Sequence, residues 1–552
     1  MELRDPETVN TDVLVIGGGA AGLRAAIEAK KYDLDVMLTS ESPVGFRNNT
    51  AISAAGFAAA GISKEPGDSP ELHFRDTITA GRFINDRGMV ETMTHRARQQ
   101  VHDLMKFGVN YVRHNGELLM LQSAGHTYPR SVGCESFRGI NITRPMRQYA
   151  ASIGIQFMEG ILITKLLPAE GTIVGALAVD DKGQVFVLKA KSTILATGGG
   201  GELYLRTDNA RGLTGDGYAL AYEVGATLRD MEFVQFYPTA WGKHGSRMCS
   251  NYETFLSRGA TIRNSLGEDI LKKHGIADFS ATRDMLTRTI MKEIAAGRGV
   301  QGNVVFDLTT IPEVAAKELS HDGLMRRGDY TEYEKVLVAP TVHFFMGGVQ
   351  ISVDAQTGIH GLYAAGEVCG GLHGSNRLGD NAITETLVFG TIAGDRAAAR
   401  ASRMNQLSLL QSEVTSEMER LAQMASGSNR IDLDQLQQSL KQTMWAKVGV
   451  IRDSKSLEDA QREIVALREQ LRATLLTGYR ELYQAIKLAN MLTVSQMVCR
   501  AALTRTESRG AHYRADYPEE DKQWLKAIEI SCKSGDMTLK AISVEGNEEF
   551  WT

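Results

Sequence analysis

A run of glycines close to the start of the chain most strongly limits what this sequence can fold into. Residues 11–16 read TDVLVI, an apolar run that predicts a buried parallel strand. GGGAAG and the helical stretch LRAAIEAKKY follow directly, and DLDVMLTS then predicts a second strand. The chain therefore begins with a βαβ unit whose strand and helix meet at a glycine turn, which is typical of nucleotide-binding α/β proteins.

The spacing in this turn matches the dinucleotide pattern G-x-G-x-x-G, which is filled by Gly17, Gly19, Ala20, Ala21 and Gly22. The first glycine of the pattern allows the tight turn, and the second admits a pyrophosphate to the helix N-terminus. The third lets the helix and strand pack closely. Alone the motif is weak evidence, because a glycine-rich turn also occurs in α/β proteins that bind no nucleotide.

Further features favour FAD over NAD. An acidic residue is expected about 20 positions beyond the turn to bind ribose hydroxyls, and Glu41 stands there, with Ser40 as a second candidate. ILATGGG at 194–200 and TGDG at 214–217 are two more glycine signals, and GIHGLYAAGEV at 358–368 is another strand that ends in this way. An NAD site needs only the first motif, whereas the longer FAD molecule needs more anchoring. The nucleotide-binding lobe is therefore assembled from distant parts of the chain.

The composition excludes several classes of function. The 552 residues carry a formal net charge of −5, which argues against nucleic acid as a main partner. The five cysteines form no C-x-x-C pair, so the sequence predicts no zinc ribbon, no cysteine-held iron–sulfur cluster and no other metal site. No apolar run is long enough for a transmembrane helix, and the N-terminus MELRDPETVN is polar. We therefore expect a cytoplasmic protein, peripheral on the cytoplasmic membrane face only through partners.

The later part of the chain changes character. Residues 231–345 have a mixed composition that suggests an inserted domain, and a helical pattern begins near residue 405. Apolar residues recur there at three- and four-residue spacing, at Leu433, Leu436, Leu440 and Met444 and again at Leu457, Ala460, Ile464, Leu467 and Leu471. This spacing predicts amphipathic helices of a bundle.

Five blocks, in order, resemble the flavoprotein subunits of succinate dehydrogenase and fumarate reductase. They are LTGDGYALAYEVGATLRDMEFVQFYPT (213–239), AGRGVQGNVVFDL (296–308), PTVHFFMGGVQI (340–351), GLYAAGEVCGGLHGSNRLGDNAITETLVFG (361–390) and NMLTVSQMVCRAALTRTESRGAHYRADYPEEDKQWL (490–525). L-aspartate oxidase and adenylylsulfate reductase belong to the same superfamily. The resemblance runs from residue 11 to about residue 525.

The resemblance implies a discontinuous α/β FAD-binding Rossmann-like lobe, an inserted α+β capping domain and a C-terminal helical domain. We expect the FAD-binding lobe in 1–230 and 346–404, the capping domain in 231–345, the helical domain in 405–510 and a C-terminal segment in 511–552. The FAD contacts it implies, together with the motifs above, are Gly17, Gly19, Ala20, Ala21, Gly22, Ser40, Glu41, Thr50, Gly56, Ala196, Thr197, Gly198, Asp216, Glu367, Asn381, Ala382 and Ile383.

The reaction of this family moves a hydride between the flavin and one carbon of a C=C bond of a small dicarboxylate. Arg377, in HGSNRLG, matches a residue that grips a carboxylate bidentately, and His343 matches a substrate-binding histidine. Arg298, in GRG, matches the arginine that delivers the proton, and Glu253 is the candidate that relays the proton to it. Because a free guanidinium is a poor acid, the role of Arg298 rests on the family pattern.

The sequence departs from the family pattern at four places. Asn49 replaces the histidine that carries covalent FAD, so the flavin is expected to be non-covalent, and Tyr237 replaces the histidine of H-P-T at the substrate. The block around Glu253 is rebuilt, with Arg258 at the position of a second glutamate and a candidate for binding a larger acid. Asp380 replaces the second glycine of G-G-N and adds a charge near the flavin.

Three functions remain open from the sequence. The first is a fumarate reductase-like flavoprotein subunit that exchanges electrons with a separate iron–sulfur protein. The second is a stand-alone oxidase or dehydrogenase of the aspartate oxidase kind, which non-covalent FAD also fits. The third is a catalytically silent FAD electron-relay subunit, which the retained Arg298, His343 and Arg377 argue against.

Overall fold

A computed structural model of the protein describes residues 3–63, 65–123, 125–248, 252–276, 282–315, 335–405, 408–544 and 546. The α-helices are α1 (Ala20–Ala29), α2 (Asn49–Ile52), α3 (Pro70–Ala80), α4 (Arg87–Lys106), α5 (Ile140–Ser152), α6 (Asp216–Glu223), α7 (Tyr252–Ser257), α8 (Ile270–Lys273), α9 (Arg283–Glu293), α10 (Asn381–Ala401), α11 (Gln411–Met424), α12 (Leu433–Lys447), α13 (Ser454–Arg472) and α14 (Tyr479–Thr504). The β-strands are β1 (Glu7–Asn10), β2 (Val13–Ile16), β3 (Val36–Ser40), β4 (Gly56–Ala58), β5 (Arg113–His114), β6 (Glu117–Leu118), β7 (Met120–Leu121), β8 (Ser131–Gly133), β9 (Gln156–Glu159), β10 (Ile161–Ala169), β11 (Thr172–Asp180), β12 (Val185–Lys189), β13 (Ser192–Leu195), β14 (Leu228–Arg229), β15 (Val234–Trp241), β16 (Arg247–Met248), β17 (Thr261–Arg263), β18 (Val304–Asp307), β19 (Lys335–Phe345), β20 (Gly348–Gln350), β21 (Leu362–Ala364), β22 (Cys369–Gly370), β23 (Lys526–Lys533) and β24 (Asp536–Ser543). Single 3-10 turns cover Lys30–Tyr32, Glu135–Phe137, Gly201–Leu203, Lys243–Gly245, Leu308–Thr310 and Lys522–Trp524, and a π-helical turn covers Ile294–Arg298.

A parallel five-stranded sheet forms the centre of the FAD-binding lobe, in the order β21-β13-β2-β3-β9. Its strands come from widely separated parts of the chain, as the glycine signals predict. All four residues of β2 are buried, because a central parallel strand is covered on both faces. The predicted discontinuous α/β lobe is confirmed.

Helix α10 packs directly on α1, and glycines make this close approach possible. A Cβ on Gly394 would stand 2.3 Å from the carbonyl oxygen of Ala25, and one on Gly390 would stand 3.0 Å from that of Ala21. Because α10 is held this tightly, the position of its N-terminus is fixed relative to the βαβ turn.

The inserted region has its own sheet, in the order β16-β15-β19-β18-β17, and its own hydrophobic cluster. Helices α7, α8 and α9 belong to the same stretch of chain, and α9 lies against β15 and β19. The cluster centres on large side chains such as Phe255, Phe306 and Ile290, which are fully buried. The mixture of strands and helices agrees with the predicted α+β class.

The helical region follows the predicted periodicity. The apolar residues at three- and four-residue spacing are buried in α12 and α13, namely Leu433, Leu436, Leu440, Met444, Leu457, Ala460, Ile464, Leu467 and Leu471. Across the described ranges, no helix combines the length and the apolar character needed to cross a bilayer.

The C-terminal segment forms a β-hairpin that sequence patterning does not predict. Strands β23 and β24 extend a sheet in the order β22-β20-β14-β23-β24, with Leu228 of β14 opposite Ile530 of β23. Strands β23 and β24 are thus built into the sheet that leads from the FAD-binding lobe to the inserted region.

Candidate functional site

The residues predicted to contact FAD gather along one edge of the parallel sheet. The turn Gly17–Gly22 follows β2, Ser40 ends β3, and Ala196–Gly198 follow β13. Glu367 comes shortly after β21. Because parallel strands end at the same edge, these residues line one crevice, which is where ligands bind in open α/β sheets.

The glycine turn provides a cradle at the N-terminus of α1. Gly17 has a φ of 125°, and a Cβ there would stand 2.1 Å from the carbonyl oxygen of Ala196. A Cβ on Gly22 would stand 1.9 Å from the carbonyl oxygen of Gly17. On Gly19, by contrast, a Cβ would meet nothing closer than 3.9 Å. The turn is closely packed at Gly17 and Gly22 and open at Gly19, so a pyrophosphate can approach the helix N-terminus there.

Polar groups of the crevice also fit FAD. The buried hydroxyl of Thr197 has no hydrogen-bond partner among the described residues. Glu367 is buried and accepts hydrogen bonds from the Asn49 amide (3.1 Å) and the Phe345 backbone N–H (3.1 Å). Burial raises the pKa of Glu367 to about 7, although these two hydrogen bonds act in the opposite direction. Each carboxylate oxygen can accept further hydrogen bonds from ligand hydroxyls.

Two predicted acidic contacts face the helical region. Glu41 accepts a hydrogen bond of 2.7 Å from Lys487, and Asp216 accepts one of 2.7 Å from Asn490. Both partners lie on α14, which covers this end of the crevice. The helical region therefore closes the cradle beside the predicted ribose-binding residues.

The remaining predicted FAD contacts come from α2, β4 and the start of α10. Thr50 lies in α2, Gly56 begins β4, and Asn381, Ala382 and Ile383 form the first turn of α10. The backbone N–H of Ala58 in β4 donates to the carbonyl oxygen of Asp380 (3.1 Å), which joins β4 to the start of α10.

The inserted sheet presents a second group of polar side chains through an irregularity in its register. Gln235 pairs with Phe344 and Phe236 pairs with Val342, so His343 is the extra residue of a β-bulge. Bulges redirect side chains next to active sites. Here the His343 ring lies tilted against that of Tyr237, with ring centroids 5.5 Å apart, and its Nδ1 lies 2.9 Å from Asp208 Oδ2.

Gln235 holds two arginines together. Its Oε1 accepts a hydrogen bond from Arg377 Nε (3.2 Å) and one from Arg283 Nη1 (3.5 Å). The Arg377 guanidinium lies 4.7 Å from the centroid of the Phe344 ring, and that of Arg283 lies 5.3 Å from the centroid of Tyr237. The two guanidinium groups are thus fixed beside His343 and Tyr237.

The charges of this group favour an anionic ligand. Burial, followed by the positive charge of Arg283, lowers the pKa of Arg377 to about 9. Burial also lowers the pKa of His343, against the opposing effect of Asp208, so its imidazole is neutral at pH 7. A carboxylate between the two guanidinium groups would relieve their repulsion and restore part of the solvation they have lost.

Glu253 completes the group. Burial raises its pKa, although the neighbouring Arg283 acts in the opposite direction. Burial lowers the pKa of Arg283 but Glu253 and nearby groups outweigh this effect, so the pKa of Arg283 is raised overall. Tyr252 packs edge-on against Tyr237, with ring centroids 5.5 Å apart. The charges of Glu253 and Arg283 thus act on each other.

The structure places Arg298 away from the other predicted substrate residues. Its guanidinium binds Glu293 through Nε (2.7 Å) and Nη2 (2.9 Å), and its side chain is 33% exposed. Among the described residues, nothing connects it to Arg377, His343 or Glu253. Arg298 lies in the π-helical turn after α9, which directs it outward, whereas Arg283 begins α9 and points inward.

Arg258 lies at an exposed position. It follows α7, where Phe255 and Leu256 turn inward into the hydrophobic cluster and residues 257–259 are left exposed. Substrate binding by Arg258 therefore stays a prediction.

Sequence reasoning missed Arg283, Gln235 and Asp208. A signal for Arg283 exists: a cation in the first turn of a helix opposes the helix dipole, so its presence suggests a use for the side chain. Gln235 stands two residues before Tyr237 in the same strand, where alternate residues share a face. Asp208 gives no local signal, because only the folded chain brings it to His343.

Comparisons with known proteins identify the families to which the chain is similar. The model of the FAD binding domain family matches residues 12–383, and that of the fumarate reductase flavoprotein C-terminal family matches residues 437–549. A polypeptide of the fumarate reductase (CoM/CoB) of Methanothermobacter marburgensis is 36% identical over 544 residues, covering 96% of this chain and 98% of its own.

Two further proteins widen the comparison. The L-aspartate oxidase of a Nostoc species is 30% identical over 547 residues, covering 93% of this chain and 92% of its own. The solved structure of Mycobacterium smegmatis Sdh1 in complex with UQ1 is 31% identical and superposes with a TM-score of 0.89, covering 98% of this chain and 95% of its own.

The fold and the crevice define an FAD-dependent oxidoreductase. The chain belongs to the family of fumarate reductase and succinate dehydrogenase flavoprotein subunits, to which the L-aspartate oxidases are related. Members of this family act on CH–CH groups, and FAD is the cofactor of the chain.

Proposed function

We propose that the protein is the FAD-binding, substrate-handling subunit of a fumarate reductase-like enzyme that reduces the C=C bond of a small α,β-unsaturated carboxylate. The observation that carries the proposal is the pair of guanidinium groups, Arg377 and Arg283, held on Gln235 beside His343. This pair lies in the pocket next to the segments assigned to FAD. When bound, FAD supplies a hydride to one carbon of the double bond, and a proton reaches the other carbon.

Arg377 grips the substrate carboxylate. Its guanidinium is buried over the Phe344 ring and hydrogen-bonded through Nε to Gln235, so its outer nitrogens remain to bind the two oxygens of a carboxylate. Holding one end of the substrate in this way orients the double bond, and such positioning raises the reaction rate relative to that of a free reactant.

Arg283 and Glu253 deliver the proton. A guanidinium alone is a poor acid, so Arg283 needs a neighbour that replaces its proton at once. Glu253 suits this role because burial raises its pKa, which lets its carboxyl group hold a proton closer to neutral pH. This pair takes over the role that the family pattern suggests for Arg298 and Glu253.

The FAD is held without a covalent bond at position 49. The side chain of Asn49 donates to Glu367 (3.1 Å) and to Asn209 (3.1 Å), and it accepts from the Ala210 backbone N–H (3.0 Å). An amide in this network is not a nucleophile towards the flavin ring, whereas the histidine of the family pattern is.

The proposal includes a separate iron–sulfur partner that supplies electrons. The relatives named as flavoprotein subunits support this, and the sequence has no C-x-x-C pair for a cluster of its own. We also assign the protein to the cytoplasm, with any contact to the membrane made through partners, and retain the five predicted segments of the domain division.

The test uses the purified, FAD-loaded chain under anaerobic conditions. The flavin is reduced with dithionite, fumarate or another 2-enoate is added, and the flavin absorbance is followed. We expect rapid reoxidation by at least one 2-enoate. If FAD stays bound but no 2-enoate reoxidises it, the proposal fails and a silent electron-relay role is supported.

The aspartate oxidase kind is the second candidate function. Relatives at 30% identity and the non-covalent cofactor favour it. Reoxidation of the reduced protein by oxygen, with L-aspartate as the reductant, distinguishes this activity. Slow reaction with oxygen and fast reaction with a 2-enoate support the reductase.

A further inference from the structure

The histidine of the pocket has a carboxylate partner. His343 Nδ1 lies 2.9 Å from Asp208 Oδ2, and the side chain of Asp208 is 5% exposed, against 21% for that of His343. The backbone N–H of Asp208 donates to the carbonyl oxygen of Val342 (3.3 Å), the residue next to the bulge of β19. The segment that carries the carboxylate is thus attached to the strand that carries the imidazole.

Asn209 fixes this pair of side chains. Its Nδ2 donates to Asp208 Oδ1 (3.0 Å) and to the carbonyl oxygen of His343 (2.9 Å). Asn49 in turn donates to Asn209 Oδ1 (3.1 Å), which holds the amide of Asn209 in place. One oxygen of the Asp208 carboxylate is therefore held by an amide, while the other is directed at the imidazole.

The carboxylate determines which nitrogen of the His343 ring carries the proton. An ionised carboxylate only accepts hydrogen bonds, so Nδ1 must be the N–H that donates to Asp208. In a neutral imidazole the other nitrogen, Nε2, then has a lone pair and no proton. Within the described ranges Nε2 has no hydrogen-bond partner, and the side chain is accessible. The neutral ring therefore offers a ligand an acceptor and not a donor.

The charged groups around His343 come from different elements. The ring of Tyr237, in β15, is 5.5 Å from that of His343, and the guanidinium of Arg283, in α9, is 5.3 Å from the centroid of Tyr237. Burial lowers the pKa of His343 most, Asp208 opposes this effect, and the charges of Arg377 and Arg283 add to the lowering. An anion that binds the two guanidinium groups removes part of this disfavour and leaves the effect of Asp208.

We propose that Asp208 is a positioning residue that enables His343 to take up one proton from solvent when a substrate carboxylate binds. A carboxylate oxygen is repelled by the lone pair of Nε2, whereas the imidazolium donates Nδ1–H to Asp208 and Nε2–H to the substrate. The proton returns to solvent when the ligand leaves. This proposal rests on the proposed enoate reduction, and the proton is separate from the one delivered to the double bond.

The proposal predicts how the affinity varies with pH. Burial holds the pKa of His343 below its ordinary value of 6.5 in the free protein, and a bound carboxylate raises it, so binding takes up a proton between the two values. From pH 6.5 upwards the dissociation constant should rise about tenfold for each pH unit, until the pKa of the complex is reached. Arg377, with a pKa of about 9, remains protonated up to about pH 8 and does not contribute.

The experiment titrates fumarate into the oxidised, FAD-loaded full chain, which has no electrons with which to reduce it. Both carboxyl groups of fumarate are ionised throughout this pH range. The flavin spectrum gives the dissociation constant, and calorimetric titration in two buffers of different ionisation enthalpy gives the number of protons taken up. We expect about one proton for the wild type and about none for Asp208→Asn, which keeps the shape but loses the charge.

The pH profile separates this role from a structural one. Because the dissociation constant of Asp208→Asn should not vary with pH, its loss of affinity should be largest at the acidic end and shrink as the pH rises. A distorted pocket would instead weaken binding equally at every pH. FAD content and thermal unfolding show whether the variant has folded, and Asp208→Ser, also uncharged, replaces it if it has not.

Two further variants serve as controls. Glu71→Gln removes the carboxylate from another histidine pair, in which Glu71 lies 3.2 Å from His95 Nε2 on the surface, and it should keep the uptake of one proton. His343→Gln removes the group that is proposed to titrate, so uptake should disappear. If uptake persists in both His343→Gln and Asp208→Asn, Glu253 is the acceptor and the proposal fails.

The outcomes also distinguish this proposal from the proposed function. A wild type that binds fumarate without proton uptake overturns the role of the pair, while rapid reoxidation of the reduced flavin by a 2-enoate leaves the enoate reductase intact. Uptake of one proton by Asp208→Asn shows that His343 does not need the carboxylate. If fumarate does not change the flavin spectrum, the 2-enoate that reoxidises the flavin fastest takes its place. If no 2-enoate binds, both proposals fail.

Discussion

At the scale of single residues, the position of two arginines determines which of them can transfer a proton. Arg283 is coupled to Glu253 in the pocket, whereas Arg298 is 33% exposed and bound to Glu293. Arg283→Ala should therefore reduce enoate turnover by about 10²- to 10⁴-fold, the usual contribution of a positioned proton donor. Arg298→Ala should keep turnover within about twofold of the wild type.

The two variants control for each other. Both remove a guanidinium from the same inserted region, and FAD content and thermal unfolding show whether each has folded. Single-turnover reoxidation of the reduced flavin measures the effect directly. Full activity in Arg283→Ala, or its loss in Arg298→Ala, would return the catalytic role to the residue that the sequence pattern suggests.

Glu367 gives a pH-dependent effect on stability. Burial raises its pKa from an ordinary value of 4.5 to about 7 in the folded protein, so the folded state binds this proton more tightly than the unfolded state. Its stabilising contribution is present below pH 4.5 and is lost as the pH rises to 7. At pH 8 Glu367→Gln should stabilise the FAD-free protein by about 1–3 kcal/mol, after the lost hydrogen bond from Asn49 is subtracted.

The measurement compares denaturation midpoints of the FAD-free proteins between pH 4 and pH 8. The stability of the variant relative to the wild type should rise with pH, and at the acidic end only the effect of the lost hydrogen bond should remain. A constant difference across this range would mean that Glu367 does not titrate there.

At the scale of elements, two glycines of the β2–α1 turn have different roles: Gly22 allows the turn to fold, and Gly19 leaves room for the cofactor. Gly19 has open space in front of it, so Gly19→Ala should leave the stability of the FAD-free protein within about 0.5 kcal/mol while weakening FAD binding at least tenfold. The added methyl group stands where a pyrophosphate approaches the helix N-terminus.

Gly22→Ala is the matched comparison, because its Cβ would stand 1.9 Å from the carbonyl oxygen of Gly17. This contact forces the helix away from the strand, so we expect lower stability even without FAD. Fluorescence titration with FAD and thermal unfolding of the two FAD-free variants give both quantities. Equal unfolding temperatures would show that the turn adjusts freely.

The elements also show what periodicity can and cannot predict. The buried run of β2 and the apolar spacing of α12 and α13 are local, so the sequence predicts these elements. Strand β23 pairs with β14, almost 300 residues earlier in the chain, and its half-exposed sequence carries no strong alternation. Arg283 begins α9 and Arg298 lies in the turn that follows it, and no spacing rule shows which of the two faces the pocket.

At the scale of the whole molecule, a buried ion network joins distant parts of the chain. Arg505, after α14, binds Glu232 at 2.7 Å and Glu507 at 3.0 Å, and Arg509 binds Glu507 at 2.7 Å. All four side chains are fully buried. Glu232 lies between β14 and β15, so the network fastens the C-terminal segment to the strand that carries Gln235 and Tyr237.

Removing one charge from this network should therefore lower the free energy of unfolding more than removing both charges of a pair. Arg505→Met leaves Glu232 buried without its partner, which typically costs about 3–5 kcal/mol. The double variant Arg505→Met with Glu232→Gln removes the uncompensated charge and should recover much of this loss. Arg462→Met, which breaks a surface pair with Asp459, should change the unfolding temperature little, because exposed ion pairs contribute about 0–1 kcal/mol.

Thermal unfolding of the wild type and the three variants, with FAD content measured alongside, tests this prediction. Equal loss in the single and double variants would show that the packing of Arg505, and not its charge, holds the C-terminal segment in place. Recovery in the double variant would instead show that most of the lost stability comes from the unpaired charge of Glu232.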